Sequence, residues 1–134
     1  MDETYIDVLV SEWDEVYKKG QLGLWVLLSL YGHKRYAAEI SQYMYAATGG
    51  TFEVKEQSLY RALRRFKGMK MISVTEEDSS NGGPKRKFYE LTPVGQEVLA
   101  RFIGLHLTPL MNPDVLGTIR TITNQGEQNE TTGN

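Results

Sequence analysis

Apolar residues recur at intervals of three and four near the start of the chain. Ile6, Leu9, Val10, Trp13, Val16 and Tyr17 mark one face of an amphipathic helix from Thr4 to Lys19. Its acids lie early and Lys18 and Lys19 lie late, as the helix dipole favours, and Gly20 predicts its end. Leu22 to Tyr31 is apolar on nearly every side and predicts a second, largely buried helix stopped by Gly32. A stripe of Tyr36, Ala37, Ile40, Tyr43, Met44 and Ala47 predicts a helix over Arg35 to Thr48, closed by Gly49-Gly50. In the next helix, Lys55 to Lys70, one side carries Leu59, Leu63 and Phe66, and another carries Gln57, Arg61 and Arg64 with Ser58 and Arg65 beside them.

The pattern then changes period. Met71 to Thr75 and Lys87 to Leu91 are short runs rich in β-branched and aromatic residues. The turn formers between them, Glu76 to Pro84, predict a hairpin with an extended tip. Thr92-Pro93 supplies an N-cap and a first-turn proline, and Val94, Val98, Leu99, Phe102 and Ile103 continue as an apolar helix face. Beyond Gly104 the signal weakens at Thr108-Pro109 and Asn112-Pro113. A short helix from Asp114 to Ile122 follows, and the polar stretch from Asn124 is expected to lack structure. The predicted organisation is an N-terminal helix (1–20), a helix-and-hairpin body (21–92), a C-terminal helix with a short extension (93–123) and a disordered tail (124–134).

Composition removes several alternatives. The chain has 134 residues, 40% of them hydrophobic, and no cysteine, so it fits one compact domain without disulfides or a thiolate zinc site. His33 and His106 lie far apart with no suitable partner nearby, so neither a metal nor another cofactor is expected. There is no Gly-x-Ser-x-Gly, phosphate-cradling loop or nucleophile beside an acid pair, which argues against an enzyme. The longest apolar run falls short of the roughly 20 residues of a membrane span. The N-terminus has no basic leader, and a cytoplasmic protein without membrane contact is expected.

The net charge is −2, but its distribution is uneven. Residues 1–17 hold six acids (Asp2, Glu3, Asp7, Glu12, Asp14, Glu15) and no base. Residues 55–70 hold six bases (Lys55, Arg61, Arg64, Arg65, Lys67, Lys70) against Glu56 alone, and Lys85-Arg86-Lys87 follow in the hairpin. A nearly neutral chain can thus present one basic face to a phosphate backbone.

Three helices, two strands with a basic Gly/Pro loop and a closing helix match a winged helix-turn-helix: mainly α with a small β-hairpin, flanked by N-terminal and C-terminal dimerisation helices. Gln57, Ser58, Arg61 and Arg65 have the chemistry of base-edge readers. Tyr60, Arg64 and Lys67 stand where phosphates would be reached, and Lys55 with Tyr36 at the head of the preceding helix joins the DNA-binding set. Lys85, Arg86 and Lys87 would meet the backbone or minor groove from the wing. A merely solvated helix face is the plainer explanation, but it usually alternates acids with bases, and here the acids are missing. The wing is more ambiguous, because Glu76, Glu77 and Asp78 on the facing strand are available to neutralise it.

From Lys19 to Arg101 the chain resembles the PadR family of bacterial and archaeal transcriptional regulators. The resemblance is carried by Lys19-Gly20-Gln21-Leu22, Tyr36-Ala37-Ala38-Glu39-Ile40, Gln57-Ser58-Leu59-Tyr60-Arg61-Ala62-Leu63-Arg64-Arg65-Phe66, and Gly83-Pro84-Lys85-Arg86-Lys87-Phe88-Tyr89-Glu90-Leu91-Thr92-Pro93-Val94-Gly95. Two departures stand out: Arg35-Tyr36 where the family usually has Gly-Tyr, and Gln57-Ser58-Leu59-Tyr60-Arg61 where it has Gly-Thr-Leu-Tyr-Pro. They leave the fold intact and alter the groove-facing surface. The resemblance implies a homodimeric repressor at a palindromic operator, double-stranded DNA as partner and, in some members, a small aromatic effector near the dimer contact. The short C-terminal region resembles the branch with a reduced dimerisation part, in which the N-terminal helix shares the contact with Val94 to Ile103. Trp13 and Trp25 are the candidates for an effector pocket, although tryptophans on apolar helices are more often core. The rival function is a winged-helix module that binds protein, with the basic helix meeting an acidic partner or the chain's own acidic N-terminal helix.

Overall fold

The computed structural model describes residues 2–78 and 82–132. Two compact units divide it, Met1–Leu99 and Ala100–Asn134.

The first unit opens with α1 (Glu3–Ser29), whose first turn is capped by the Asp2 carboxylate accepting from Thr4 N at 2.9 Å. The stop expected at Gly20 does not occur: α1 runs through it and joins the two helices predicted on either side. A single glycine inside a helix costs only about 1 kcal/mol, less than starting a new helix would. The far end is closed from outside, where Arg35 Nε donates to the Ser29 carbonyl at 2.6 Å.

Arg35–Tyr36 forms a short strand, β1, instead of opening the next helix. Tyr36 is extended, and α2 (Ala37–Ala47) starts after it, with the Glu39 carboxylate reaching back to accept from Tyr36 N at 3.1 Å. The helix is capped by an acid in its first turn behind an aromatic residue, so the usual Ser, Thr, Asp or Asn signal is missing from the sequence. α3 (Glu56–Gly68) is shorter at both ends than the predicted Lys55 to Lys70. Lys55 is its N-cap, and Lys70 takes a left-handed conformation (φ 61°) beyond its C-cap.

β2 (Ile72–Glu77) and β3 (Arg86–Leu91) form the hairpin, and β3 lies between β2 and β1 in an antiparallel sheet. The register pairs Val74 and Arg35 with Tyr89, Thr75 and Tyr36 with Phe88, and Glu77 with Arg86. Strand alternation sends Ile72, Tyr89 and Leu91 into the core, which also holds Val26 and Leu27 of α1, Leu30 at its C-cap, Ile40 and Met44 of α2, and Leu59, Leu63 and Phe66 of α3. The expected tip residues Ser79, Ser80 and Asn81 lie outside the described residues.

The hairpin returns to the body through a tight junction. Thr92 N donates to the Met71 carbonyl at 3.0 Å, and the Thr92 hydroxyl donates to the Lys70 carbonyl at 2.6 Å while accepting from Gly95 N at 3.0 Å. This caps α4 (Pro93–His106), as Thr92-Pro93 predicts. Gly95 sits so close that a Cβ there would stand 2.0 Å from the Met71 oxygen.

In the second unit the last part of α4 brings the Phe102 and His106 rings to 4.6 Å, tilted by 54°. A 3₁₀ turn (Thr108–Met111) leads to α5 (Pro113–Thr132), capped by Asn112 Oδ1 accepting from Asp114 N at 2.8 Å. This helix is longer than the Asp114 to Ile122 segment predicted, and its backbone continues past Asn124, where the sequence predicts an unstructured tail. Once nucleated, a helix gains one hydrogen bond for each residue added, so polar residues can extend it. No helix among the described residues is long and apolar enough to cross a membrane.

Two glycine substitutions should separate close packing from helix propensity. Gly95→Ala is expected to destabilise the fold by about 3 kcal/mol through overpacking against backbone. Gly20→Ala, with nothing within 4 Å of its new methyl, is expected to stabilise it by roughly 0.5–1 kcal/mol. Urea midpoints at unchanged m-value check both.

Candidate nucleic-acid interface

The turn between α2 and α3 sets how α3 is presented. Gly49 and Gly50 both take left-handed φ (63° and 83°), which reverses the chain, and Gly50 N donates to the Tyr45 carbonyl at 2.7 Å. The Thr48 hydroxyl donates to the Met44 carbonyl at 2.7 Å and accepts from Phe52 N at 3.1 Å. Phe52 is buried, anchoring the connection before α3 begins.

On α3 the division between packing and polar sides holds. Leu59, Ala62, Leu63 and Phe66 are buried. Gln57, Arg61 and Arg64 are exposed and one turn apart, on the side away from the core. Exposed Arg65 and half-buried Ser58 flank them on one side and half-buried Tyr60 on the other. Glu56, Gln57, Tyr60, Arg61 and Arg64 line a shallow depression of ≈ 330 Å³ along the exposed surface. Among the described residues no acid pairs with any α3 cation; Lys18 pairs instead with Asp14 at 2.9 Å within α1, and Lys34 with Glu77 at 2.6 Å. Within the chain the N-terminal acids therefore form no ion pair with α3. The Arg65 guanidinium lies 5.5 Å from the centre of the Phe66 ring.

The Tyr60 flank faces the sheet. Burial pushes the Tyr89 phenol up from its ordinary pKa, the Tyr60 phenol adds to the rise, and the Arg64 guanidinium opposes it. Tyr89 is thus a largely buried ring whose phenol feels Tyr60 and Arg64 of α3, a role its place in an aromatic strand does not disclose in the sequence.

In the wing, Lys85 and Lys87 are exposed and Arg86 is half-buried. Among the described residues the acids opposite them form no ion pair with the wing cations. Glu76 is in register with Lys87 without forming an ion pair, and Glu77 turns to Lys34 and accepts from the Thr75 hydroxyl at 3.0 Å, which holds its carboxyl below the usual range. Arg86 lies over the Tyr36 ring at 4.5 Å. Tyr36 and Arg86 are therefore brought together, apart from the α3 residues. Lys34, which the sequence reading passed over, enters through its ion pair and its place 5.7 Å from the Phe88 ring.

The two tryptophans do not converge. They are more than three turns apart on α1, roughly 18 Å at about 1.5 Å per residue. Trp13 is 75% exposed beside an open apolar depression of ≈ 430 Å³ shared with Val10, Asp14 and Tyr17. Trp25 is half-buried, and its indole Nε1 is buried without a hydrogen-bond partner among the described residues.

Comparison with known proteins places this arrangement. Residues 26–101 match the transcriptional regulator PadR-like family. A PadR-like transcriptional regulator from Bacillus cereus is similar at 33% identity and a TM-score of 0.58, over 70% of this chain and 91% of that one. A PadR family regulator from Eggerthella lenta shares the fold at 23% identity and a TM-score of 0.64, over 88% of this chain and 96% of that one. Bacillus subtilis PadR, solved in complex with operator DNA, shares it at 20% identity and a TM-score of 0.55, over 61% of this chain and 46% of the PadR chain.

The Tyr89 environment yields a pH prediction. Because its folded pKa is raised, its contribution to stability is intact below about pH 10 and is lost as pH rises through the folded value. Tyr89→Phe should remove that part of the alkaline loss. Arg64→Ala, which takes away the opposing cation, should move the phenol further up, seen as delayed phenolate absorbance.

Proposed function

The chain belongs to the PadR-like family of transcriptional regulators, and we propose that it acts as a homodimeric repressor at a palindromic operator, with α3 in the major groove and the wing on the adjoining backbone. The observation that carries this reading is the surface of α3: Gln57, Arg61 and Arg64 stand out from the core, and among the described residues no acid is paired to them. Arginine pairs bidentately with guanine and glutamine with adenine, at about 1–3 kcal/mol of discrimination for each good pair. We assign Gln57, Ser58, Arg61 and Arg65 to base edges, and Lys55, Tyr60, Arg64, Lys85 and Lys87 to phosphates. The operator complex of Bacillus subtilis PadR, which shares the fold, supports DNA as the partner.

Dimerisation is supported by apolar surface that a single chain leaves in water. On α1 Leu9, Val10, Trp13 and Val16 are exposed, and on α4 so are Val94, Val98, Phe102 and Leu105. Such surface on a small protein marks a contact. A two-fold pair of recognition helices reads a two-fold sequence, and an occupied operator excludes the polymerase. A planar aromatic effector would stack on Trp13 or Trp25 near that contact and act by changing the spacing of the two α3 helices.

Binding-site selection from a random duplex library, followed by salt titration, tests the proposal. A two-fold motif is expected, with half-sites about 10 base pairs apart. Arg61→Ala should relax preference at one position of each half-site. Arg64→Ala should weaken all duplexes alike and flatten the log–log salt slope by roughly one unit. Uniform weak binding untouched by either change would indicate a protein-binding module instead. Light scattering should give a dimer at micromolar concentration, and Trp13→Glu should shift it toward monomer.

A further inference from the structure

The wing has two faces that treat their cations differently. β3 alternates, so Lys87 shares the face of Tyr89, the side on which Tyr60 and Arg64 of α3 act, while Arg86 and Phe88 point to the other side. On that far side Arg86 lies 4.5 Å over the Tyr36 ring, and Tyr36 meets Phe88 edge-on at 5.5 Å and 86°. Lys34 completes the row, 5.7 Å from the Phe88 ring and paired to Glu77 at 2.6 Å. The row crosses all three strands, and Tyr36 is also the N-cap of α2.

From this geometry we infer that Arg86 and Tyr36 form a latch that fixes the wing to the head of α2, so that both residues position Lys85 and Lys87 and neither contacts the nucleic acid. The inference rests on the DNA-binding reading above and reassigns two residues that the sequence places in the DNA-binding set. A guanidinium stacked on a ring on the side away from α3 is poorly placed to meet a phosphate that α3 and Lys87 approach together. Its planar cation does suit the ring face, which draws positive charge by its quadrupole. Arg86 and Tyr36 thus act through the wing's angle, and the exposed lysines on either side of Arg86 carry the charge that DNA feels.

The test uses the full chain and its selected duplex, with affinity measured by fluorescence anisotropy over a potassium chloride series. Arg86→Gln and Tyr36→Leu should each weaken binding about fivefold, with the double variant no weaker than the worse single one. The salt slope should stay at the wild-type value in all three. Lys87→Gln should instead flatten that slope by roughly one unit. Tyr36→Phe, which keeps the ring, should bind as wild type. Without DNA, the Arg86 δ-proton resonances should lie upfield under the Tyr36 ring current and return to ordinary positions in Tyr36→Leu, with the far-ultraviolet circular dichroism unchanged. Flattening of the slope by Arg86→Gln, together with additive losses in the double variant, would make Arg86 a phosphate contact and overturn the inference. Ordinary Arg86 shifts in the wild type would overturn the latch itself. If the wild type binds no duplex, the DNA-binding reading fails, and the proton shifts still decide whether the latch exists.

Discussion

Everything presented by this fold depends on the one-sided burial of α3. Leu59, Leu63 and Phe66 are held in the core, and the Phe66 ring comes so near α1 that a Cβ on Gly23 would stand 3.0 Å from its tip. Burying three such side chains contributes about 1.5–3 kcal/mol each, enough to fix the rotation of the helix about its axis. A helix locked in that rotation has no freedom over its other side. Gln57, Arg61 and Arg64 face outward because Leu59, Leu63 and Phe66 cannot.

The sheet repeats this logic on a smaller scale. Its inner face supplies Tyr89 and Leu91 to the core, and Tyr89 backs the polar side of α3. Its outer face spends charge locally: Glu77 is taken by Lys34, and Arg86 by the Tyr36 ring. Cations on the wing therefore divide into those held by neighbours and those left to solvent. The position of each on an alternating strand decides which. The register sets Glu76 opposite Lys87 on the same face, yet the two form no ion pair.

The sequence made the long-period features legible. The apolar stripe of α3, the hairpin, the Thr92-Pro93 cap and the basic cluster all follow from spacing, because each is a local pattern with one physical cause. Features that depend on distant partners were not legible. Gly20 reads as a stop, yet α1 runs through it, because one glycine costs less than a second helix start. Tyr36 reads as the start of a helix, yet pairing with Phe88 draws it into a strand. The approach of Gly95 to the Met71 carbonyl and the meeting of Arg86 with Tyr36 arise only when segments distant in sequence fold together. The α3 side of the site was readable for the same reason that its wing side was not: one lies on a single helix, the other across three strands.

On this reading the polar side of α3 enters the groove of the operator. Because the chain has no cysteine, a single cysteine in place of Gln57 can carry a DNA-cleaving reagent, with a second variant labelled at exposed Glu15 as reference. Cleavage is expected from position 57 at two symmetric places inside the selected motif and none from position 15. Cleavage from position 15 with none from position 57 would contradict that docking.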